Sequence, residues 1–222
     1  MSAVRFLKDL RFRLFYRLLT KTKVSLVTLG DECQWTFCNT GIGSGSKALC
    51  AGAGHDISFE KALIAAYGCK VVLLDPSPTG IATSNRERIP KEQLHFMPVG
   101  LAGQDGVLSF KEPSDPQEGS FRDAGTQPAD LQFRCKSLST LMSELHWAHI
   151  DLLKIDIEGF EYDVIQDLLR KRLDVRQICV EFHYGRALGH TRREMIRKIL
   201  ALRSAGYDLV HHRHQDHTFL RR

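Results

Sequence analysis

From Lys47 onward, short apolar runs alternate with amphipathic stretches, and this alternation constrains the fold more than any other feature. The apolar runs are KALCAG, KVVLLD, HFMPVGL, DLLKIDI and QICVEF. Between and after them lie segments with helical spacing: DISFEKALIAAYG, TGIATSNRER, LSTLMSELH, FEYDVIQDLLRKR and TRREMIRKILALRSAG. Strands joined through helices pair in parallel, because each helix returns the chain to the same end of the sheet. The sequence therefore predicts an α/β fold with a mostly parallel central sheet and helices on both faces.

The 222 residues suit one main domain, predicted over residues 24–222, with two added segments. Residues 1–23 are predicted to form a basic amphipathic helix, because Leu7, Leu10, Leu14 and Leu18 recur at helical spacing. Residues 3–21 of this helix are expected to pack on the domain, and peripheral contact with an anionic membrane is the alternative. An insertion at about 103–135 is rich in Gly, Pro, Asp and Ser, and its flanking segments GVLSF and LQFRC predict a hairpin.

Composition excludes several classes of protein. The net charge is only +5, and the basic residues gather at predicted helix ends, so no nucleic-acid partner is expected. The six cysteines contain no CxxC pair and are interpreted as core residues in a reducing compartment. Charges throughout the N-terminal segment disfavour a signal peptide, and no apolar run is long enough to span a bilayer. A cytoplasmic location is expected.

A glycine-rich turn follows the first strand of the alternating region. It reads Ala51–Gly52–Ala53–Gly54–His55–Asp56, and a helix is predicted directly after it. Glycines at such a junction let the backbone approach a ligand closely, while the helix N-terminus offers unpaired N–H groups. A nucleoside site is one interpretation, and a purely structural turn is the other.

The second strand ends at Asp75, followed by Pro76. This is close to the distance beyond the glycines at which a nucleoside site places the acid that accepts hydrogen bonds from ribose hydroxyls. Capping of the next helix is the alternative role for Asp75. Two signals on neighbouring strand ends favour the nucleoside interpretation over either signal taken alone.

Acidic residues also follow the fourth and fifth strands. Period-two alternation points Asp156 and Glu158 to one side, and it relates Glu181 to His183 in the same way. The pair Asp156 and Glu158 could take a proton, hold Mg²⁺ or face a cationic ligand, with helix capping by Glu158 as the alternative. His183 is a candidate general base, because an imidazole titrates near neutral pH.

A histidine cluster lies near the C-terminus and consists of His211, His212, His214 and His217. No second ligand motif accompanies it, so a solvated C-terminal antiparallel hairpin is favoured over a metal site. No metal site is predicted there, and a magnesium ion held by Asp156 and Glu158 remains only an alternative to their action as proton acceptors.

With these motifs identified, the chain resembles the FkbM-like branch of class I methyltransferases from about Leu29 to the C-terminus. The stretches that carry the resemblance are AGAGHDISFE, VVLLDPSP, LHFMPVGLAG, DLLKIDIEGFEYDVI and ICVEFHY. The resemblance implies a Rossmann-like fold, the cofactor S-adenosylmethionine and transfer of its methyl group. The acceptor would be a hydroxyl oxygen of a small molecule, sugar or lipid.

The resemblance also implies roles for individual residues. Gly52, Gly54 and Asp56 would line the methionine and adenosine end of the cofactor, Asp75 would hold its ribose, and Val99 and Gly100 would lie near adenine. Ala51, Ala53 and Pro76 complete the predicted cofactor site, while Asp156, Glu158 and His183 would face the methyl group and the acceptor. Many class I enzymes carry an acid two places before the first glycine, where this chain has Cys50.

Two other functions are compatible with these motifs. A nicotinamide-dependent oxidoreductase also uses a glycine turn and a strand-end acid, but Ile57 stands where such sites usually have a third glycine. A non-catalytic binding module with the same fold is the second alternative. The acids at successive strand ends weigh against it.

Overall fold

The computed structural model describes residues 14–21, 23–87, 89–113, 121–124, 128–129, 131–185 and 188–222. Its centre is a seven-stranded sheet in the order β12-β13-β11-β10-β3-β4-β5. The parallel strands are β3 (Lys47–Ala51), β4 (Lys70–Leu74), β5 (Leu94–Met97), β10 (Ile150–Ile155) and β11 (Val175–Glu181). Strands β12 (Tyr207–Arg213) and β13 (Asp216–Arg221) add an antiparallel hairpin at one edge. The predicted α/β fold with a C-terminal hairpin is confirmed.

The two faces of this sheet form two separate cores, because successive strand residues point to opposite sides. One face packs against α4 (Leu138–Glu144), α5 (Glu161–Lys171) and α6 (Arg192–Ser204). The other packs against α2 (Ser58–Tyr67). Helix α3 (Pro78–Arg86) joins β4 to β5 and begins next to Asp75. All parallel strands therefore end at one edge of a sheet that is covered on both sides.

The third predicted strand, HFMPVGL, is divided between two sheets, so its prediction as one strand was wrong. Strand β5 ends at Met97, and β6 (Gly100–Ala102) joins a four-stranded sheet with the order β6-β9-β7-β8. Pro98 lies at the division, and a proline cannot donate a ladder hydrogen bond. Strands β7 (Gly106–Lys111) and β9 (Leu131–Ser137) form the antiparallel pair predicted from GVLSF and LQFRC, and β8 (Arg122–Asp123) pairs with β7.

A two-stranded sheet precedes the central one and had no counterpart in the sequence prediction. Strands β1 (Leu26–Leu29) and β2 (Trp35–Cys38) pair antiparallel, and Trp35 and Phe37 are buried in the core beside α2. The turn between these strands carries Cys33, which is exposed, whereas the other five cysteines are buried. The prediction that the cysteines are core residues is therefore wrong for Cys33, because that turn lies at the surface.

The N-terminal helix, α1, is described over residues 14–19, and residues 1–13 of the predicted helix lie outside the described residues. Tyr16 is 3% exposed and joins the core, which supports packing on the domain. Leu14 and Leu18, predicted on the packed stripe, are instead exposed. Within the described residues, no helix is both long and apolar enough to cross a bilayer. Membrane contact by residues 3–21 stays a prediction.

The histidine cluster belongs to the β12–β13 hairpin. His214 lies in its exposed turn, but His217 is completely buried, so the predicted solvated hairpin is wrong for that residue. The Tyr16 hydroxyl lies 2.6 Å from His217 Nε2, and the Tyr16 ring stacks on His212 with centroids 3.9 Å apart. Alternation along β13 turns His217 toward α1, which the local sequence could not show.

Candidate functional site

A cavity of about 270 Å³ opens at the carboxyl-end edge of the parallel strands. Its walls come from the glycine turn after β3, the end of β4, strand β6, the insertion and the turn after β10. Open α/β sheets bind ligands at this edge, because the loops that follow the strands converge there. The cavity is therefore the candidate functional site.

The glycine turn lies against the turn after β10. A side chain at Gly52, where φ is +90°, would place its Cβ 1.9 Å from the carbonyl oxygen of Asp156, so only glycine allows this approach. Gly54, at φ +49°, has no atom within 4 Å of the position a Cβ would occupy. The turn thus leaves free space beside the cavity where a ligand could contact the backbone.

Asp75 joins the end of β4 to the glycine turn. Its Oδ2 accepts hydrogen bonds from the backbone N–H groups of Ala53 at 2.8 Å and Gly54 at 3.1 Å. Its Oδ1 accepts one from Ser77 at 2.8 Å, and Asp75 is only 6% exposed. The two segments expected to surround one adenosine therefore lie in direct contact. A carboxylate offers about four acceptor positions, so three backbone donors leave room for a ribose hydroxyl.

Asp56 has a structural task. Its Oδ1 accepts a hydrogen bond from the Ser58 N–H, and its Oδ2 accepts bonds from the Ser58 hydroxyl and the Cys33 N–H. Partial burial works to raise the pKa of Asp56, but these hydrogen bonds outweigh it and lower the pKa below its usual value. Asp56 thereby fixes both the start of α2 and the β1–β2 turn, which forms one rim of the cavity.

A buried charge pair lies beneath the glycine turn. Lys154, on the central strand β10, is 2% exposed and lies 3.7 Å from the carboxylate of Glu60. Its ammonium group also donates a 2.5 Å hydrogen bond to the Gly52 carbonyl. Burial works to lower the pKa of Lys154, but Glu60 and Asp156 outweigh it and raise the pKa, so the ammonium stays charged. Sequence reasoning did not predict Lys154 as a site residue. A lysine inside the apolar run DLLKIDI could have indicated it, because lysine is rarely buried without a partner.

Aromatic residues form the far wall of the cavity. Phe110, Phe121 and Phe133 come from the insertion, and Phe160 comes from the turn before α5. Phe110 is centred 4.9 Å from Phe133 and 5.2 Å from Phe160, so the rings pack as one group. The predicted insertion therefore supplies an apolar surface to the candidate site.

His183 lies within a ring of carboxylates beside the cavity. Its Nε2 is 3.7 Å from Asp156 Oδ1, 3.8 Å from Glu158 Oε2 and 3.9 Å from Glu181 Oε1. Burial works to lower the pKa of His183, but Glu161, Glu158 and Asp156 outweigh it and raise the pKa to about 9. Burial and nearby Asp156 also raise the pKa of Glu181 above its usual value. The imidazole is therefore protonated at neutral pH, which argues against its predicted role as a base.

Glu161 connects His183 to the turn that carries Glu158 and Gly159. Its side chain is fully buried, and its two oxygens accept hydrogen bonds from the backbone N–H of His183 at 2.5 Å and of Gly159 at 2.8 Å. The turn that follows β10 is tight, since Glu158 has φ +52° and Gly159 has φ +110°. Sequence reasoning missed Glu161, because an acid in the first turn of an amphipathic helix is usually solvent-exposed.

The predicted site residues divide into two groups. Those that line the cavity are Gly52, Ala53, Gly54, Asp56, Asp75, Pro76, Gly100, Asp156 and Glu158. Three others do not line it: Ala51 is buried within β3, Val99 packs against the core, and His183 lies behind Asp156 and Glu158. The cavity residues that were not predicted include Lys154 and the four phenylalanines.

The strand order, the covered sheet and the cavity at its carboxyl edge define the class: a Rossmann-like methyltransferase fold. More particularly, the chain belongs to the FkbM methyltransferase family, whose domain profile matches residues 44–209. The resemblance drawn from the sequence motifs is thereby confirmed.

Solved structures similar to the chain include three enzymes or processing proteins. A Methanococcus jannaschii fibrillarin pre-rRNA processing protein is 9% identical with a TM-score of 0.47, and the match covers 90% of this chain and 83% of that chain. A putative rRNA methylase from Clostridium thermocellum is 9% identical with a TM-score of 0.46, and the match covers 81% of this chain and 88% of that chain. The cyclopropane synthase MmaA2 of Mycobacterium tuberculosis is 14% identical with a TM-score of 0.41, and the match covers 77% of this chain and 57% of that chain. No curated protein sequence matches the chain.

Proposed function

We propose that this protein transfers the methyl group of S-adenosylmethionine to a hydroxyl oxygen of a small molecule, sugar or lipid. The observation that supports this most is the direct contact of Asp75 with Ala53 and Gly54 at the edge of one cavity. When bound, S-adenosylmethionine supplies a methyl group already activated by a sulfonium. The protein then needs to orient the two reactants and accept one proton.

The cavity residues fit this cofactor. Free space at Gly54 would admit the cofactor close to the backbone, and Asp75 would accept from a ribose hydroxyl. Pro76, Gly100 and the phenylalanines would enclose adenine. Asp56 would position the cavity rim without binding the cofactor directly, because its oxygens already accept hydrogen bonds from Ser58 and Cys33.

The carboxylates of Asp156 and Glu158 would have two different roles in methyl transfer. Asp156 lies beside Gly52, so we assign it to the positively charged end of the cofactor. Glu158 would take the proton of the acceptor hydroxyl as the oxygen–methyl bond forms and the sulfur–methyl bond breaks. A general base in this position increases the reaction rate about 100- to 10,000-fold. His183, protonated at neutral pH, would stabilise both carboxylates.

The acceptor would bind at the mouth of the cavity. The cavity volume of about 270 Å³ is slightly below the usual lower limit of ligand pockets, ~300 Å³. The cavity is therefore too small to enclose an acceptor together with the cofactor. Specificity would therefore depend on the insertion at about 103–135, whose phenylalanines continue the apolar wall.

Titration calorimetry with S-adenosylhomocysteine tests the cofactor assignment. We expect one molecule bound per chain and no comparable binding of NAD⁺ or NADP⁺. Absence of binding would contradict the proposal, and preferential binding of a nicotinamide cofactor would favour the oxidoreductase alternative.

The acceptor assignment needs a separate assay. Methyl transfer from labelled cofactor should be measured against panels of sugars, lipids, small alcohols and RNA. Transfer to hydroxyl compounds supports the proposal, and transfer only to RNA contradicts it. Binding of the cofactor without transfer to any panel would favour a non-catalytic module.

A further inference from the structure

We propose that Asp156, Glu181 and His183 form a binding site for one divalent transition-metal ion beside the cavity. One ligand atom from each residue lies within 4.8 Å of the other two. The three residues come from two adjacent parallel strands, because β10 precedes Asp156 and β11 carries Glu181 shortly before His183. Neighbouring strand ends therefore supply the ligand set.

The spacing around His183 suits an ion better than a hydrogen bond. Its Nε2 is 3.7 Å from Asp156 Oδ1 and 3.9 Å from Glu181 Oε1, beyond ordinary hydrogen-bond length. Two atoms that share an ion at about 2.1 Å lie roughly 3 to 4.2 Å apart, depending on the angle between them. No two of the three ligand atoms are more than 4.8 Å apart, so a small side-chain rotation would bring all of them within this range.

The environment of His183 supports the same site. The residue is only 8% exposed; its Nδ1 faces Glu161 at 3.4 Å, and its Nε2 points at three carboxylates without reaching hydrogen-bond distance of any of them. A buried imidazole without well-formed hydrogen bonds is costly unless a ligand satisfies it. Its Nε2 faces the carboxylates and would complete the ligand set in the neutral form, with the Nε2 proton released to solvent as the ion binds.

The local charge also favours a cation. Besides the two proposed carboxylate ligands, Glu158 lies 3.8 Å and Glu161 lies 3.4 Å from the His183 ring. Four carboxylates thus surround one imidazole, while the nearby Lys154 pairs with Glu60. A divalent ion would offset the repulsion among them.

The mixed donor set indicates the kind of ion. Magnesium and calcium prefer oxygen ligands alone, whereas an imidazole combined with carboxylates suits first-row transition ions. Mn²⁺ is the appropriate probe, because it accepts both donor types and its free hydrated form is observed directly by electron paramagnetic resonance.

The role of the ion in catalysis rests on the proposed function, but its binding does not. Asp156 is the one proposed ligand that lines the cavity, so an ion at this position would fix the carboxylate that we assign to the positively charged end of the cofactor. Metal binding and cofactor binding can be measured separately. A protein that binds Mn²⁺ but not S-adenosylhomocysteine would retain this inference and lose the proposed function.

The test is a titration of the full chain with MnCl₂ alone, following the signal of free Mn²⁺. We expect one ion per chain, with affinity reduced at least tenfold in Glu181→Gln and in His183→Asn. Two matched controls, Asp163→Asn on the exposed side of α5 and His214→Asn in the hairpin turn, should bind Mn²⁺ as the unmodified protein does.

Absence of stoichiometric binding would overturn the proposal, as would affinities unchanged in Glu181→Gln. Circular dichroism establishes whether each variant is folded. If His183→Asn fails to fold, Glu181→Gln decides alone, because Glu181 is partly exposed and its replacement keeps the side-chain shape. A tenfold loss in His214→Asn instead would place the ion at the hairpin and contradict the proposal.

Discussion

The ammonium group of Lys154 donates a hydrogen bond to the Gly52 carbonyl while its charge is balanced by buried Glu60. The glycine turn is therefore held by a charge from the centre of the sheet. This contact links the stability of the core to the shape of the cavity.

Replacing Lys154 by Met should destabilise the protein by about 3–5 kcal/mol, because Glu60 would remain buried without a partner. The double variant Glu60→Gln/Lys154→Met should regain part of this loss. Urea unfolding measures both. Lys61→Met, which breaks only the exposed pair with Glu87, is the control and should change stability little. A double variant as unstable as the single one would contradict the prediction.

Replacing Asp75 by Ala should weaken S-adenosylhomocysteine binding at least tenfold, because Ala53 and Gly54 lose their shared acceptor and ribose loses its partner. Calorimetry measures the affinity. Asp105→Ala provides a matched control: Asp105 also accepts a backbone hydrogen bond, from Ser137, but does not line the cavity. Equal losses in both variants would show that the effect of Asp75 is general destabilisation.

Replacing Phe133 by Ala should weaken cofactor binding about tenfold, because the aromatic wall loses its contact with both Phe110 and Phe121. Val107→Ala changes an exposed residue of the same small sheet and should leave the affinity unchanged. If Phe133→Ala binds the cofactor normally but methylates acceptors more slowly, the wall serves the acceptor instead.

Stability should fall between pH 7 and pH 5 because of His217. Burial lowers the pKa of this residue to about 4, whereas the unfolded chain titrates near its usual value of 6.5. The unfolded state therefore binds the proton first, and stability present above pH 6.5 is lost as the pH falls toward 4. The expected loss at pH 5 is about 2 kcal/mol.

Urea unfolding at both pH values measures this effect. His217→Gln should show a smaller decrease than the unmodified protein, because glutamine does not titrate. Equal decreases in the two proteins would assign the pH dependence to other groups.

Much of the fold was predictable, because its signals are local. The apolar run DLLKIDI became β10, and the following amphipathic stretch became α5. The break at Pro98 was harder to predict, because HFMPVGL is apolar throughout and only sheet pairing shows that its two halves separate. The first strand pair, β1 and β2, was missed because its strands are short.

The candidate site was predictable where residues follow strand ends. Asp156 and Glu158 do converge, although a left-handed turn at Glu158 brings them together instead of strand alternation. The pKa of His183 was not predictable, because it depends on Glu161, a residue on the next helix.

The amino-acid sequence by itself determined the strand–helix alternation, the glycine turn and the acids at the strand ends, since each depends on neighbouring residues. Only the tertiary structure decided which charges meet: Lys154 with Glu60, His183 with its four carboxylates, and Tyr16 with His217. Electrostatic effects depend on distance and burial, which are established when strands far apart in the chain come to lie side by side.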